Sequence, residues 1–288
     1  MKTGFIGLGT MGIHMARNLA KASLLETVFN RTLKKSEFFR KEFACSISIS
    51  PSELAKQCEL IIISVSRDTD VLEVVNEIKT GVKANSIVID TSTVSSDTAK
   101  KAASLLTEVN CDFLDCPVSG GVEGAKNATL AMMVGGDAKI LGKVRPILNV
   151  IAKNIVHIGA NGSGQATKAV NQIMAAGINQ AVTEALAFGK AMGLPMDKVI
   201  DIVSTGAASN WFLDHRGKTM LSGDFKPGFK LGLHQKDLSI CQSMVGSISE
   251  NALPIIEMTL VHYTQLIDEG YGDEDISALF RLKQKNLS

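Results

Sequence analysis

A lysine and two amides near the middle of the sequence have the types and spacing of a proton-transfer site. Lys168, Asn171 and Gln172 occupy positions i, i+3 and i+4, and on a helix these positions share one face. A lysine that is dehydrated among Ala, Val, Ile and Met neighbours has a lowered pKa and can exchange protons near neutral pH. The two amides would then orient substrate oxygens. The residue pattern leaves open the alternative that Lys168 extends from the helix edge into solvent.

Two shorter segments carry polar groups that suit a small anion or a cofactor. Ser119, Gly120 and Gly121 offer a hydroxyl and bare backbone N–H groups without bulk, an arrangement that can bind a carboxylate. Lys236, near the start of a predicted helix, can reach back to a cofactor or substrate. Taken alone, an ordinary turn explains the first segment better, and a surface pair of Lys236 with Asp237 explains the second.

Near residue 1, a short apolar strand runs into a Gly-x-Gly-x-x-Gly turn and then a helix. Gly7 allows the tight turn, Gly9 lets the backbone approach phosphates, and Gly12 lets the helix pack on the strand. Thr10 and Met11 fill the positions where the new helix offers free N–H groups to an anion. This order predicts a site for the pyrophosphate of a dinucleotide. The alternative is a glycine-rich surface turn that binds no ligand.

The end of the second predicted strand indicates which dinucleotide binds. In sheets of this type an acid there hydrogen-bonds the ribose 2′-hydroxyl, whereas a basic group accommodates a 2′-phosphate. The strand ends in Asn30, Arg31 and Thr32, with no carboxylate. Because a guanidinium and a hydroxyl suit a phosphate, we expect NADP rather than NAD as the cofactor. The alternative is that Arg31 faces solvent and another group contacts the ribose.

The first half of the sequence alternates short apolar runs with amphipathic stretches. Continuous apolar strands between helices indicate a parallel sheet that is covered on both faces. The predicted strands are 4–7, 27–30, 60–65, 86–90, 112–114, 130–134 and 154–157, and the predicted helices are 11–22, 51–57, 70–78, 96–107 and 139–150.

After the turn cluster at 159–164 no convincing strand remains. A long apolar-periodic stretch covers about 165–192, and further helices are predicted at 195–204, 233–249, 254–269 and 275–283. We therefore expect an α/β Rossmann-type dinucleotide-binding domain (1–161), a long interdomain helix (162–192) and an all-α C-terminal domain for substrate binding and oligomerisation (193–288). Because these helices expose more apolar surface than one small domain covers, we also expect a homodimer or homotetramer.

The composition argues against several other functions. With 30 basic and 29 acidic residues and a net charge of +1, no overall field favours nucleic acid or an anionic membrane. The basic run 31–41 is explained mostly by a solvated helix face. The five cysteines form no Cys-x-x-Cys pair and the five histidines are scattered, which indicates reduced thiols and no metal site. Since the apolar runs are too short to span a bilayer and the first strand leaves no room for a signal peptide, we expect a cytoplasmic protein.

Four segments, in this order, resemble the signatures of one enzyme family. They are the cofactor motif 4–12, the substrate segment 115–121, the helix segment 164–172 and the late lysine motif 236–238. Together they resemble the β-hydroxyacid dehydrogenase family, and the resemblance covers essentially the whole chain. It implies an NAD(P)-dependent oxidoreductase that interconverts a small β-hydroxy acid and its semialdehyde. The substrate is then a small carboxylate.

The resemblance also implies roles for individual residues. Lys168 would be the catalytic general acid/base, and Asn171 and Gln172 would help to hold the substrate. The substrate carboxylate would be bound by Ser119, Gly120 and Gly121. The nicotinamide side of the cofactor groove would be lined by Val65, Ser66, Thr93 and Lys236.

Details of the motifs divide between members of the family. The order Lys-x-x-Asn-Gln that begins at Lys168 is similar to tartronate semialdehyde reductases, whereas the Ser-Gly-Gly-Val that begins at Ser119 is shared more with 3-hydroxyisobutyrate dehydrogenases. The segment around Arg31 resembles NADPH-using semialdehyde reductases, which favours reduction as the physiological direction. Trp211 and Phe212 are candidates for a wall of the substrate pocket, with helix packing as an equal alternative.

Two other functions are compatible with this kind of fold. One is a non-catalytic, cofactor-sensing interaction protein, and the other is an imine reductase. By resemblance, proteins of both kinds lack a lysine at the position of Lys168, so its presence here counts against them.

Overall fold

The computed structural model describes residues 1–246 and 253–287. The chain divides into two compact units, Met1–Lys168 and Ala169–Ser288. Each unit has its own hydrophobic core, and the core of the first unit consists of two clusters.

The first unit is built on a mostly parallel sheet. Its strands are β1 (Thr3–Ile6), β2 (Leu25–Phe29), β3 (Ser46–Ile47), β4 (Leu60–Ile63), β5 (Ile87–Asp90), β6 (Asp112–Asp115), β7 (Val118–Ser119), β8 (Leu130–Gly135) and β9 (Ala152–Gly159). Their order in the described chain is β3-β2-β1-β4-β5-β6-β8-β7, with β9 paired to β8. Strands β1 to β6 are parallel, whereas β8 is antiparallel to β6 and β7 and parallel to β9. The order reverses between β1 and β4, where ligands bind in open α/β sheets.

The central strands of this sheet are buried on both faces. Phe5 and Ile62 belong to one apolar core, whereas Ile6 and Ile63 belong to the other. Since successive side chains of a strand point to opposite faces, a strand covered on both sides must be apolar throughout, which explains the run Leu60–Ile63. The helices of this unit are α1 (Gly12–Lys21), α2 (Leu33–Glu42), α3 (Pro51–Gln57), α4 (Asp68–Lys79), α5 (Ser96–Thr107), α6 (Gly121–Lys126) and α7 (Ala138–Leu148).

The second unit is helical. In its described residues, extended chain pairs only in the isolated bridge of Lys230 with Asp275. The 29-residue α8 (Ser163–Ala191) begins in the first unit and continues into the second, and at 1.5 Å per residue it is about 44 Å long. No helix in the described ranges combines the length and apolar character needed to cross a membrane. The other helices are α9 (Met196–Val203), α10 (Trp211–Leu221), α11 (Leu231–Gly246), α12 (Pro254–Asp268), a 3₁₀ turn (Ile276–Ala278) and α13 (Leu279–Lys285).

The structure confirms the expected fold class, an α/β unit followed by an all-α unit. The basic run expected as a solvated helix face is α2. Four elements, β3, β7, α6 and α10, were not predicted. The two strands have two residues each, too few for an alternating pattern. Helix α10 interrupts its apolar positions with charged residues, and its start is set by the Asn210 side chain, which accepts a hydrogen bond from the Leu213 backbone N–H at 2.8 Å.

Two predicted helices differ from the structure at their ends. The helix predicted at 233–249 begins earlier, at Leu231, and is described as far as Gly246; positions 247–249 lie outside the described residues. The helix predicted at 275–283 is a 3₁₀ turn followed by α13. The Asp275 side chain accepts a hydrogen bond from the Ser277 backbone N–H at 3.1 Å, which begins the 3₁₀ turn.

The turn between β1 and α1 depends on glycine at two positions. Gly7 has a φ of +99°, and a Cβ there would lie 2.1 Å from the Ser64 carbonyl oxygen. A Cβ on Gly12 would lie 2.0 Å from the Gly7 carbonyl oxygen. At Gly9, by contrast, an added Cβ meets no atom within 4 Å. The fold therefore requires the first and last glycines of the motif and leaves space beside the middle one.

We expect Gly12→Ala to lower the free energy of unfolding by about 2 kcal/mol or more, because the new methyl group must displace backbone rather than a flexible side chain. The matched variant Gly9→Ala should stay within about 0.5 kcal/mol of the wild type. Urea unfolding followed by circular dichroism measures both. Equal losses of stability in the two variants would contradict this account of the turn.

Candidate functional site

Asn30 fixes the glycine-rich turn from the end of β2. Its Oδ1 accepts a hydrogen bond from the Leu8 backbone N–H at 2.8 Å, and its Nδ2 donates to the Thr32 carbonyl oxygen at 3.1 Å. The Gly7 backbone N–H donates to the Phe29 carbonyl oxygen at 2.9 Å. The side chain of Asn30 therefore holds the turn in shape as well as lying at the position expected to face the ribose.

The start of α1 fits the phosphates of a dinucleotide. Helices α3 and α5 begin with serine side chains, Ser50 and Ser95, that accept from backbone N–H groups, whereas among the described residues no side chain caps α1. A helix start of this kind attracts an anion, and the space beside Gly9 lets one approach. A cavity of about 350 Å³ adjoins the turn and combines apolar and cationic side chains, as a nucleotide requires. It is lined by Leu8, Gly9, Thr10, Ile13, Lys34, Lys35 and Phe38.

Arg31 lies at the surface, paired with a carboxylate. The Arg31 side chain is 85% exposed, and its Nη1 lies 3.2 Å from Oδ1 of Asp70 in the first turn of α4. The sequence around Arg31 contains no carboxylate at the end of β2. In the structure, Asp70 brings a carboxylate to Arg31 from α4. Lys34 and Lys35, which line the cavity, were not assigned from sequence because they read as part of a solvated helix face.

Hydrogen bonds join the loops that follow β4 and β5. The Val65 backbone N–H donates to Oγ of Ser92 at 2.9 Å, and the Ser92 backbone N–H donates to Oδ1 of Asp90 at 2.9 Å. The Thr91 hydroxyl donates to the Ile63 carbonyl oxygen at 2.7 Å. Since the carboxyl ends of parallel strands meet at one edge of a sheet, Val65 lies beside the loop that contains Thr93, two positions expected at the nicotinamide.

Two carboxylates are buried at the same edge of the sheet. Burial raises the pKa of Asp90 from 3.8 to about 6, and within the described chain its Oδ2 has no hydrogen-bond partner. Asp115, on the neighbouring strand, accepts from the backbone N–H groups of Gly162 at 2.8 Å and Gln165 at 3.0 Å. Burial raises the pKa of Asp115 as well, and these donated bonds oppose the rise. Asp115 thereby caps the start of α8.

The first turns of α8 are packed tightly against the sheet. A Cβ on Gly164 would lie 2.5 Å from the Met133 carbonyl oxygen, so only glycine lets the helix approach this closely. Gln165 is 1% exposed, and its side chain bonds to the loop after β5. Lys168 follows one turn later and is 7% exposed. This burial is contrary to the alternative of a lysine that extends into solvent.

The segment expected to bind a carboxylate is a sharp turn into a short helix. Ser119 ends β7, Gly120 has a φ of +125°, and Gly121 has a φ of +62° and begins α6. Positive φ values at consecutive residues favour glycine at both positions. The binding of a carboxylate by these residues remains a prediction.

Within the second unit, Asn171, Gln172 and Lys236 belong to one hydrogen-bonded chain. Nδ2 of Asn171 donates to Oε1 of Gln172 at 2.7 Å, and Nε2 of Gln172 donates to Oδ2 of Asp237 at 2.6 Å. The other oxygen of Asp237 lies 2.8 Å from Nζ of Lys236. Lys236 and Asp237 do form an ion pair, but Asp237 is buried at 4% exposure and bridges α8 to α11. Sequence reasoning did not assign it to the site, although its place beside Lys236 was a signal.

A buried histidine supports this chain from behind. Nε2 of His234 lies 3.3 Å from the Gln172 carbonyl oxygen, and its Nδ1 lies 3.0 Å from the hydroxyl of Tyr263. The Tyr263 hydroxyl also accepts from Nδ2 of Asn179 at 2.9 Å. Because the carbonyl oxygen can only accept, Nε2 of His234 donates the bond to Gln172.

The two aromatic residues considered for the pocket wall have different environments. Phe212 is 8% exposed and packs in the core of the second unit, whereas Trp211 is 61% exposed. The indole stacks on the imidazole of His215, with ring centroids 4.2 Å apart. Helix packing therefore accounts for Phe212, whereas Trp211 stacks within its own helix and its place in a pocket wall stays a prediction.

Comparisons with known families cover almost the whole chain. Residues 2–159 match the family described as the NAD binding domain of 6-phosphogluconate dehydrogenase. Residues 162–283 match the family described as NAD-binding of NADP-dependent 3-hydroxyisobutyrate dehydrogenase. The two matches correspond to the glycine-rich turn with its sheet and to the helical part that contains Lys168 and Lys236.

Individual relatives agree with these families. The chain is 36% identical to 2-hydroxy-3-oxopropionate reductase of Escherichia coli, over 87% of this chain and 86% of that protein. It is 33% identical to a probable mitochondrial 3-hydroxyisobutyrate dehydrogenase of Dictyostelium discoideum, over 99% and 91%. A solved 3-hydroxyisobutyrate dehydrogenase of Mycobacterium tuberculosis with L-serine has a TM-score of 0.89 at 29% identity and covers 98% of both chains. The chain therefore belongs to the β-hydroxyacid dehydrogenase family of nicotinamide-dependent oxidoreductases.

Proposed function

We propose that this enzyme interconverts a small β-hydroxy acid and its semialdehyde, prefers NADP(H), and uses Lys168 as its general acid/base. The observation that carries the proposal is the burial of Lys168, at 7% exposure, on a helix that also carries Asn171 and Gln172. The names of the relatives, a hydroxyoxopropionate reductase and a hydroxyisobutyrate dehydrogenase, support a substrate with a carboxylate and a neighbouring hydroxyl or aldehyde carbon.

Each group of residues has one task in this reaction. Held by the glycine-rich turn and by Val65, Ser66 and Thr93, a nicotinamide cofactor would supply the hydride chemistry. As an ammonium, Lys168 donates a proton to the carbonyl oxygen, and as a neutral amine it removes the hydroxyl proton in the oxidative direction. The carboxylate of the substrate is held by Ser119, Gly120 and Gly121, which places the reacting carbon.

The orientation of the Gln172 amide follows from its partner. The carboxylate of Asp237 can only accept hydrogen bonds, so the NH₂ group of Gln172 faces it at 2.6 Å and the amide oxygen faces Asn171. The amides that would hold the substrate are thus fixed before the substrate binds, which lowers the entropic cost of organising the site.

Lys168→Ala should lower kcat by about 10²- to 10⁴-fold because the variant lacks the proposed proton donor. The dissociation constant of NADPH, measured by fluorescence titration, should change less than about threefold. Lys283 is also 7% exposed and pairs with Glu184 at 2.6 Å, so Lys283→Ala is the matched control and should keep kcat. Turnover of Lys168→Ala within a few-fold of wild type would contradict the assigned role.

The substrate is identified by a separate measurement. Steady-state rates of the wild type with malonic, methylmalonic, tartronic and succinic semialdehydes and with glyoxylate show which compound is turned over best.

The preference for NADP(H) is supported by three cations near the glycine-rich turn. Lys34 and Lys35 line the cavity, and the exposed Arg31 can exchange Asp70 for a phosphate. The matching family description also names an NADP-dependent enzyme.

Arg31→Ala should raise the dissociation constant of NADPH about tenfold and leave that of NADH nearly unchanged, since only the former has a 2′-phosphate. Asp70→Asn should strengthen NADPH binding because the guanidinium loses a competing partner. Arg40, exposed on the same helix as the two lysines, provides the control variant Arg40→Ala. A tenfold or greater preference of the wild type for NADH would overturn the assignment.

We also propose that the chain forms a homodimer or homotetramer. Exposed apolar side chains lie on one face of α8, which supports a helix face that another copy covers. They are Val170, Met174, Ile178 and Phe188 on α8 and Met192 directly after it, at 37–62% exposure.

Light scattering of the purified protein should give two or four times the chain mass of 30.7 kDa. The double variant Met174→Glu with Phe188→Glu should shift the mass towards 30.7 kDa, since two charges per chain cannot be buried without partners. Ile49, 85% exposed in the first unit, supplies the control Ile49→Glu. A wild-type protein of single-chain mass would refute the proposal.

A cytoplasmic location is the third part of the proposal. It is supported by the five cysteines, all within the described residues, which form no disulfide with one another. Burial raises the pKa of the Cys58 and Cys111 thiols to about 12, so they behave as inert apolar groups in a reducing compartment.

A further inference from the structure

Gln165 makes more specific contacts than packing at the start of a helix requires. It is 1% exposed, and its backbone N–H donates to Asp115. Its side-chain Nε2 donates to the Ser92 carbonyl oxygen at 2.9 Å, and its Oε1 accepts from the Val94 backbone N–H at 3.1 Å. Every bond lies within the unit Met1–Lys168.

These two side-chain bonds flank Thr93. A residue in a parallel strand donates to the carbonyl before its neighbour and accepts from the N–H after it, and the carboxamide of Gln165 reproduces this pattern around Thr93. The backbone of Thr93 cannot rotate without breaking one or both bonds. The loop after β5 is thereby joined to α8 by a pair of hydrogen bonds with the pattern of a parallel strand.

Ser92 extends the link to a third element. Its hydroxyl accepts from the Val65 backbone N–H, and its own N–H donates to the buried Asp90. Lys168 follows Gln165 by three residues, on the same helix face and about 4.5 Å further along the axis. One buried amide therefore connects the proton-transfer lysine to both loops that the family resemblance assigns to the nicotinamide.

We infer that Gln165 is a positioning residue of the reaction. Its carboxamide holds the Ser92–Val94 loop in register with the helix turn that carries Lys168, and so sets the separation of the proton donor from the nicotinamide side of the site. The inference rests on the function proposed for Lys168. It concerns where Lys168 lies, not what Lys168 does.

The first test is Gln165→Met, which keeps the approximate volume and removes both bonds. We expect kcat to fall about 10- to 100-fold, because small misplacements of reacting groups are this costly. The KM for the semialdehyde and the dissociation constant of NADPH should change less than about threefold. Hydrogen exchange of the protein without cofactor supplies an independent readout: the Val94 amide should exchange at least about tenfold faster, since its acceptor is gone.

The same helix offers a matched control. Gln180 is 5% exposed, and its Nε2 lies 3.1 Å from Oγ1 of Thr259 and 3.1 Å from Nδ1 of His262. Gln180→Met should lower the melting temperature without changing kcat or the exchange of Val94. Equal losses of kcat in the two variants would reduce the effect of Gln165 to general stability and overturn the inference.

Two further variants keep the test decisive if Gln165→Met does not fold. Gln165→Glu keeps the oxygen that accepts from Val94, replaces the donor to Ser92 with an oxygen and adds a carboxyl near the buried Asp115, so it should lower kcat while exchange at Val94 stays normal. Ser92→Ala removes the acceptor of the Val65 N–H and should speed exchange at Val65 while lowering kcat less than Gln165→Met. Wild-type kcat in both would overturn the inference.

The outcomes separate this inference from the proposed function. If Lys168→Ala keeps its turnover, the proposed function fails, whatever the glutamine variants do. If Lys168→Ala is inactive and Gln165→Met, folded, has wild-type kcat, only the positioning role fails.

Discussion

The arrangement depends on a buried carboxylate at the end of β6. Asp115 accepts from the backbone N–H groups of Gly162 and Gln165 and so joins the sheet to the start of the long helix. A Cβ on Gly135 would lie 2.4 Å from Oδ1 of Asp115, and one on Gly164 would lie 2.8 Å from its Oδ2. The cost of burying this charge is offset by the bonds it accepts. Since Lys168 lies in the next turn, its position follows from this contact.

The residues proposed to carry the chemistry are close together in sequence on α8. Gln165 and Lys168 belong to the unit built on the sheet, whereas Asn171 and Gln172 belong to the helical unit. In the first unit the side chain of Gln165 bonds to the loop after β5, and in the second the side chain of Gln172 bonds to Asp237 on α11. One helix thus carries both the lysine proposed as the proton donor and the amides proposed to hold the substrate.

Much of the fold was predictable because its signals are local. Apolar runs such as Leu60–Ile63 mark strands covered on both faces, and the strand–glycine–helix order near residue 1 marks the dinucleotide unit. The spacing of Lys168, Asn171 and Gln172 was equally local. The shared face of one helix could therefore be read before any tertiary contact was known.

What could not be predicted depends on distant partners. Asp237 bonds to Gln172 across 65 positions of sequence, and its place beside Lys236 does not by itself distinguish a buried bridge from a surface ion pair. Gln165 sits in an ordinary helical pattern, and its role depends on a loop more than 70 positions earlier. Arg31 follows β2 and Asp70 follows β4, and the two residues meet because both strands lie next to β1 in the sheet. Tertiary packing determines all three contacts.

The glycine-rich turn and Arg31 differ in how strongly the fold depends on them. Gly7 and Gly12 are locked by backbone contacts, so neither can vary without damage to the protein itself. Arg31 is 85% exposed and contributes nothing to a core. If Arg31 contacts the 2′-phosphate as proposed, a single charge exchange at this surface position changes coenzyme preference and leaves both glycine contacts intact. The position proposed to select the coenzyme is therefore separate from the positions that fix the turn.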